Sequence, residues 1–305
     1  MYEATLTLGL PHTNRWGLAE HLLLMHAGHI HWTAMAETIG VPLSQLHAKD
    51  GGPVYATFYY IEERFPDHAP LNTFRLDDTI RFRLTQRAYK RTTAEAQLIF
   101  DHAVRLPALA DDPSPLTPAA GCGRHPYVRF GNIFITPAAG NSRLRITAPS
   151  EGDFSAFAVL PNEENPYQIT RAAAASGRLG LLDDRWVSVT AVGYDAPYAI
   201  DPDRDTNGAG LIYFANYIAF MDAAERAAIA SANAGGAAIP DGQIVRQRRV
   251  AFYGNVSPTD TIHTRVTLLH DPDRPRHLAG RYAIYRQEDE ELICLSEAIK
   301  HSVGV

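Results

Sequence analysis

Apolar and polar residues alternate over residues 2–8, the two-residue period of a half-buried strand. A polar stop follows at Pro11, His12, Thr13 and Asn14, and the period then changes. Over residues 16–39, Leu18, Leu22, Met25 and Ile30 share one helical face, with Gly28 as a weak point that would split off a short second helix. Asp50, Gly51, Gly52 and Pro53 make a turn, and residues 54–61 (VYATFYYI) read as a strong strand. Further strands are predicted over residues 79–89, 95–102, 127–136 and 155–160, with a Pro-, Ala- and Asp-rich loop over 108–122. Residues 162–180 read as the connection to a second half.

That half is predicted to open with a strand over residues 186–194. Residues 201–229 then begin with Asp203, Asp205, Thr206, Asn207, Gly208 and Gly210. They continue as a helix with apolar positions at Leu211, Ile212, Phe214, Tyr217, Ile218, Met221, Ala224 and Ala228. A helix apolar on most of its circumference is predicted to be buried. Its polar start, placed at Asn207, offers amides and side chains to an anion or a polarised carbonyl. A glycine–proline break over residues 235–242 precedes strands at 243–256, 261–270, 278–287 and 292–301.

The halves echo each other. Each runs strand, long helix, turn, then a strand ending in aromatics: Phe58, Tyr59 and Tyr60 in one, Phe252 and Tyr253 in the other. Asp78-Thr79-Ile80-x-x-Arg83 returns as Asp260-Thr261-Ile262-x-x-Arg265. The 305 residues suit two domains, an N-terminal one at 1–160 and a C-terminal one at 181–305 joined by a linker at 161–180. The predicted class is α+β, with two long helices each wrapped by a curved antiparallel sheet.

Composition narrows the function. A net charge of −6 leaves no nucleic-acid footprint. Two cysteines, Cys122 and Cys294, make no disulfide framework and point to a reducing compartment. No apolar run reaches bilayer length and the start carries no signal pattern, so no membrane partner and a cytoplasmic location are expected. His21, His26, His29 and His31 do not share a helix face, which argues against a metal. Arg246, Arg248 and Arg249 form a basic knot that could grip a phosphate or simply lie along a solvated strand edge.

The run Asp205 to Arg226, with Gly210, Leu211, Ile212, Phe214, Asn216, Tyr217, Phe220, Met221, Asp222, Ala223 and Ala224 in place, resembles the helix signature of 4-hydroxybenzoyl-CoA-type hot-dog thioesterases. That resemblance implies a hot-dog fold, and the two echoing halves make it a double hot dog. The second acidic position, which carries the hydrolytic carboxylate there, is Asn207 here. An amide cannot attack a thioester, but it can donate a hydrogen bond to a carbonyl.

The stretch Gly9 to Trp32 (GLPHTNRWGLAEHLLLMHAGHIHW) and the segment Gly51 to Tyr60 (GGPVYATFYY) resemble the bifunctional acyltransferase/decarboxylases of leinamycin biosynthesis. The resemblance implies decarboxylation of methylmalonyl-CoA and delivery of the propionyl group to the phosphopantetheine of an acyl carrier protein. No other cofactor is implied. It also implicates a strand tyrosine, which falls at Tyr55.

On the residues themselves, Tyr55, Thr57 and Tyr59 share one strand face and offer hydroxyls to a cleft, while Val54, Ala56, Phe58 and Tyr60 read as core. Tyr55 is a nucleophile if a base or cation activates it, a donor to the thioester oxygen, or a satisfied strand tyrosine. Asn207 is a helix cap, a donor, or both. Candidate substrate-binding residues are Tyr59, Gly208, Gly210, Tyr213, Phe214 and Asn216. The competing functions are a hot-dog thioesterase or dehydratase and a non-catalytic acyl-thioester-binding protein. The oligomeric state stays open, a homodimer among the options.

Overall fold

The computed structural model describes residues 1–106, 124–137 and 144–303. The loop expected at 108–122, with Cys122, lies outside the described residues. The chain divides into two compact units. One is Met1–Thr136 with Ile146–Pro166, and the other is Pro137–Arg145 with Tyr167–Val305.

In the first unit, strand β1 (Tyr2–Thr7) leads to helix α1 (Glu20–Ile39) and then to β2 (Tyr55–Arg64), β3 (Thr79–Tyr89), β4 (Thr93–His102) and β5 (Tyr127–Pro137). The strands lie in the order β1-β3-β4-β5-β2, each antiparallel to its neighbour. Helix α1 runs unbroken through the buried Gly28, so packing outweighs the glycine's helix penalty of about 1 kcal/mol. It ends at Gly40, which takes φ 72° and donates its N–H to Ala36 O. Met35 and Ile39 pack on Ala88, Ala94 and Phe134, one apolar cluster reaching three strands. Met35, Ile39 and Phe134 each contribute about 1.5–3 kcal/mol by leaving water. The strand expected over 155–160 shrinks to Ala158–Val159, which pairs in parallel with β3. Before it, Asp153 accepts from the Ser155 N–H and turns the chain into a short 3₁₀ helix.

The second unit repeats that plan. It holds α2 (Tyr167–Ser176), β6 (Tyr194–Ala199), α3 (Asn216–Ala234), β7 (Gln243–Phe252), β8 (Thr261–Asp271), β9 (Arg274–Arg286) and β10 (Leu292–Ser302). Its strands lie in the order β6-β8-β9-β10-β7, again antiparallel. The repeated Asp-Thr-Ile marks the same corner twice. Leu8 N donates to Asp78 O and Ile200 N to Asp260 O, while each aspartate side chain caps the amide three residues before it, Arg75 or Ser257. The echo ends at the arginine: Arg83 is buried and Arg265 half-exposed.

One expectation changes here. The strand expected at 186–194 is instead β6, preceded by a two-residue piece, Val187–Ser188. Ser188 and Thr190 hydroxyls bond the carbonyls two residues ahead and fold 188–193 into a strap. Within the stretch expected to join the halves, α2 packs Ala173 against Ala251 and Leu295. Among the described residues no helix is long and apolar enough to cross a membrane.

Candidate active site

The segment read as one helix from Asn207 onward is two structures. A single helical turn, Pro202–Asp205, comes first, and α3 starts at Asn216, nine positions after Asn207. Leu211, Ile212 and Phe214 therefore lie ahead of the helix. Asn207 is not the cap of α3, because glycines at 208 and 210 favour a turn, and Gly210 takes φ 72°.

Residues 206–212 form a tight hairpin-like turn. Thr206 bridges Ile212, Asn207 N donates to Leu211 O at 2.8 Å, and Gly210 N donates to Asn207 O at 2.8 Å. Asn207 Oδ1 accepts two amides, from Ala209 at 2.9 Å and Leu211 at 3.2 Å. Those donors identify the oxygen of the side-chain amide, so Nδ2 faces away with both of its protons. No described residue accepts a hydrogen bond from it. A Cβ at Gly208 would meet nothing within 4 Å, so the backbone beside Asn207 is open to an incoming group.

The turn is held from several sides. Buried Asp205 accepts from Tyr198 Oη at 2.8 Å, the Asp201 amide at 2.9 Å and Arg204 Nε at 3.1 Å. Burial and this carboxylate push the Tyr198 phenol up. Asn216 Nδ2 donates to the Arg204 and Asp205 carbonyls, at 3.3 and 3.2 Å. Tyr213 N donates to Asp205 O at 2.9 Å, and Ile212 N to Asn255 Oδ1 at 3.2 Å. Of the expected substrate-binding set, Asn216 and the Tyr213 amide are thus committed to shaping the turn. Phe214 is buried, with its ring 4.9 Å from that of Tyr213, whose phenol burial pushes up.

The first unit carries a related turn closed one residue tighter, by Thr13 against Leu18 where Thr206 meets Ile212. Thr13-Asn14-x-x-Gly17-Leu18 matches Thr206-Asn207-x-x-Gly210-Leu211 letter for letter. Thr13 pairs with Leu18 and Asn14 with Gly17, and Asn14 Oδ1 accepts the Trp16 amide at 2.8 Å. Gly17 takes φ 126°, and a Cβ there would lie 2.6 Å from Leu71 O. The shared pattern, four identical residues of six, was legible in the sequence and marks both turns. Neither carries a carboxylate at its asparagine position.

Tyr55 opens β2, where it faces Ile135. A compact turn fixes that start: Gly51 takes φ 82°, Ala48 N donates to Gly52 O at 2.8 Å, and Val54 N donates to Leu46 O at 2.9 Å. Tyr55 is half-buried, and its hydroxyl bonds to no described residue. Tyr59 differs. It is the extra residue of a β-bulge between Phe58 and Tyr60, buried, with its hydroxyl donating to Asn165 Oδ1 at 2.8 Å. Its ring occupies the space of the side chain missing at Gly131, where a Cβ would lie 2.6 Å away. Tyr60 is fully buried, as Phe58 is, and its hydroxyl donates to Glu62. Phe58 stacks at 5.0 Å on Trp32 of α1 and at 4.5 Å on Phe130.

Tyr55 and Tyr59 belong to the first unit, and Asn207 with its companions to the second. The arginine knot does not stay together. Arg248 turns inward to Asp222, at 3.3 Å, while Arg249 donates to the Leu179 and Gly180 carbonyls. Lys300 pairs with Glu225 and, at 3.0 Å, with the half-buried Asp222, which closes a group of two cations and two anions under α3, the other three of them buried. Burial pulls the Lys300 ammonium down, but Asp222 and Glu225 outweigh it and hold it up.

No family model matches the chain, and no curated protein matches it in sequence. Solved structures do match in shape. A protein assigned as an oleoyl thioesterase from Lactobacillus plantarum superposes with a TM-score of 0.63 at 12% identity, covering 100% of this chain and 97% of that one. An acyl-ACP thioesterase from Bacteroides thetaiotaomicron gives 0.60 at 10% identity, covering 98% and 97%. A 12:0-ACP thioesterase from Umbellularia californica gives 0.60 at 8% identity, covering 98% and 93%. At such identities the likeness establishes the fold alone: this chain is an α+β double hot dog.

Proposed function

We propose that the chain acts on acyl thioesters, and that it decarboxylates methylmalonyl-CoA or a related malonyl thioester and passes the acyl group to an acyl carrier protein. The observation that carries this reading is the state of Asn207: Oδ1 held by two amides, Nδ2 left as a donor. A carboxylate in that place would have one oxygen held and the other available to attack a thioester or to deprotonate water. The amide provides no such oxygen, so it favours polarising the carbonyl over hydrolysing it. The three structures of matching fold, named as thioesterases, support an acyl thioester as the substrate class.

In the proposed reaction the thioester oxygen accepts from Asn207 Nδ2. The bond between the α-carbon and the carboxylate breaks, carbon dioxide leaves, and the electron pair forms an enolate whose negative charge grows on that oxygen. A fixed donor there is worth about 10²- to 10³-fold in rate. Protonation at the α-carbon yields the propionyl thioester. Transfer replaces the coenzyme A sulfur by the carrier's thiol, either directly or through an ester on Tyr55 Oη. In the second route coenzyme A leaves as the thiol and Tyr55 loses its proton to a base.

Incubating the protein with methylmalonyl-CoA and a phosphopantetheinylated carrier protein, followed by intact mass measurement, tests the reading. The expected result is a carrier heavier by one propionyl group. A carrier left unmodified while free methylmalonate accumulates would identify a hydrolase instead.

A further inference from the structure

Each unit leaves a pocket at the same place in its plan. In the first, Tyr2 faces Leu84 across β1 and β3. In the second, Tyr194 faces Val266 across β6 and β8. Both pairs line a pocket against the C-terminal half of the long helix. The pocket of the first unit measures about 310 Å³ and that of the second about 590 Å³.

The first is narrowed and polar. Phe157 enters it, Glu37 brings a carboxylate, and Gln86 is tied to His31 by bonds of 2.9 and 3.0 Å. The second has no charged residue in its wall. Its helix side is Ala228 and Ala232, its strand side Val266 and Leu268, and its roof the strap over 189–194. The strap holds itself in place through the Ser188 and Thr190 hydroxyls. The volume falls within the range of small-molecule sites. The hydroxyls of Ser231 and Tyr194, both lining residues, bond to no described residue.

We propose that this pocket of the second unit binds a single uncharged aliphatic chain with a hydroxyl or carbonyl end, such as a medium-chain alcohol or acyl group. The side chains of Ala228, Ala232, Val266 and Leu268 take the chain in a wall that is polar in part, and the Ser231 and Tyr194 hydroxyls take the polar end. No cation in the wall offsets a carboxylate, so an ionised fatty acid is disfavoured. The site is separate from the Asn207 turn. Helix α3 rises about 18 Å between its start at Asn216 and Ala228, so a propionyl group held at Asn207 leaves this pocket vacant.

The test is a fluorescence titration of the full chain with the neutral probe N-phenyl-1-naphthylamine, then displacement by 1-decanol, decanoate and decanoyl-CoA. Saturable probe binding is expected, with decanol displacing it at least tenfold more strongly than decanoate. Ala232→Leu fills the pocket from the helix, and Ser231→Trp covers it from an exposed position that folding tolerates. Either variant, with an unchanged circular dichroism spectrum, is expected to weaken decanol displacement tenfold or more. Absence of saturable probe binding, decanoate matching decanol, or a folded Ser231→Trp protein that binds as the parent does would each overturn the proposal. Decanoyl-CoA displacing as strongly as decanol supports an acyl group as the occupant. Its failure to displace, with decanol effective, restricts the occupant to free chains and overturns the acyl part.

Discussion

In the proposed reaction Asn207 separates holding the turn from polarising the substrate, because its two side-chain atoms have different tasks. Replacement by Asp keeps an oxygen for the Ala209 and Leu211 amides, at 2.9 and 3.2 Å, and removes the Nδ2 donor. Bonds from neutral amides to an ionised acceptor are stronger than to a neutral one, so Asn207→Asp is expected to melt within a few degrees of the parent. Its decarboxylation is expected to fall by about 10²- to 10³-fold, the loss typical of one oxyanion donor. A hydrolytic activity on propionyl-CoA should appear, because the second carboxylate oxygen is free. Asn207→Ala removes both atoms. It leaves two amides without an acceptor, at a cost of about 1–3 kcal/mol in local stability, and it should show neither activity. Calorimetry and mass-resolved assays of free acid, propionyl-CoA and methylmalonyl-CoA on the three proteins read every arm. An Asp variant that decarboxylates within about threefold of the parent would refute the donor role of Nδ2. An Asp variant with no new hydrolysis would refute the link to the thioesterase carboxylate.

Tyr55→Phe removes one oxygen and should fold normally; if Tyr55 carries the acyl group, mass spectrometry should find no acyl-enzyme and no carrier transfer, while full activity of the variant removes it from the mechanism. Gly131→Ala puts a methyl 2.6 Å from the Tyr59 ring and should cost about 1–3 kcal/mol in chemical denaturation; no loss would mean the bulge adjusts freely. Lys300→Met leaves the buried Glu225 without its cation, while Asp222 keeps Arg248, and should cost about 3–5 kcal/mol, measured the same way. His31 is buried, and desolvation lowers its pKa from 6.5 to about 4. The unfolded chain then binds the extra proton, so stability is complete above pH 6.5 and declines as pH falls toward 4. The difference corresponds to about 3 kcal/mol at most, and His31→Gln should flatten that slope between pH 7 and pH 4.5, whereas equal slopes would remove His31 as its source.

Much of the fold was legible because the hydrophobic period was strong. β1 and β3 follow alternation, and the Asp-Thr-Ile echo marks a corner that both units build with the same backbone and side-chain bonds. The start of β2 was legible from Asp50 to Pro53, since a glycine at positive φ defines where the turn ends. The bulge at Tyr59 was not, because it depends on Gly131 far along the chain and on Asn165 further still. Nor was the true start of α3. Leu211, Ile212 and Phe214 continue a helical period, yet Asn207, Asn216 and Asn255 tie that segment into a turn through bonds that no periodicity reports. The arginine knot looked continuous in sequence, but neighbouring strand residues face opposite ways, and Arg248 and Arg249 part accordingly.

In the proposed reaction the bond broken first is carbon–carbon rather than carbon–sulfur. Methylmalonyl-CoA labelled with carbon-13 in its free carboxyl group distinguishes the two. If decarboxylation comes first, the label appears as carbon dioxide and bicarbonate in step with propionyl-thioester formation, and Asn207→Asp slows its release about 10²-fold or more. Label retained in free methylmalonate, released together with coenzyme A thiol, would contradict it.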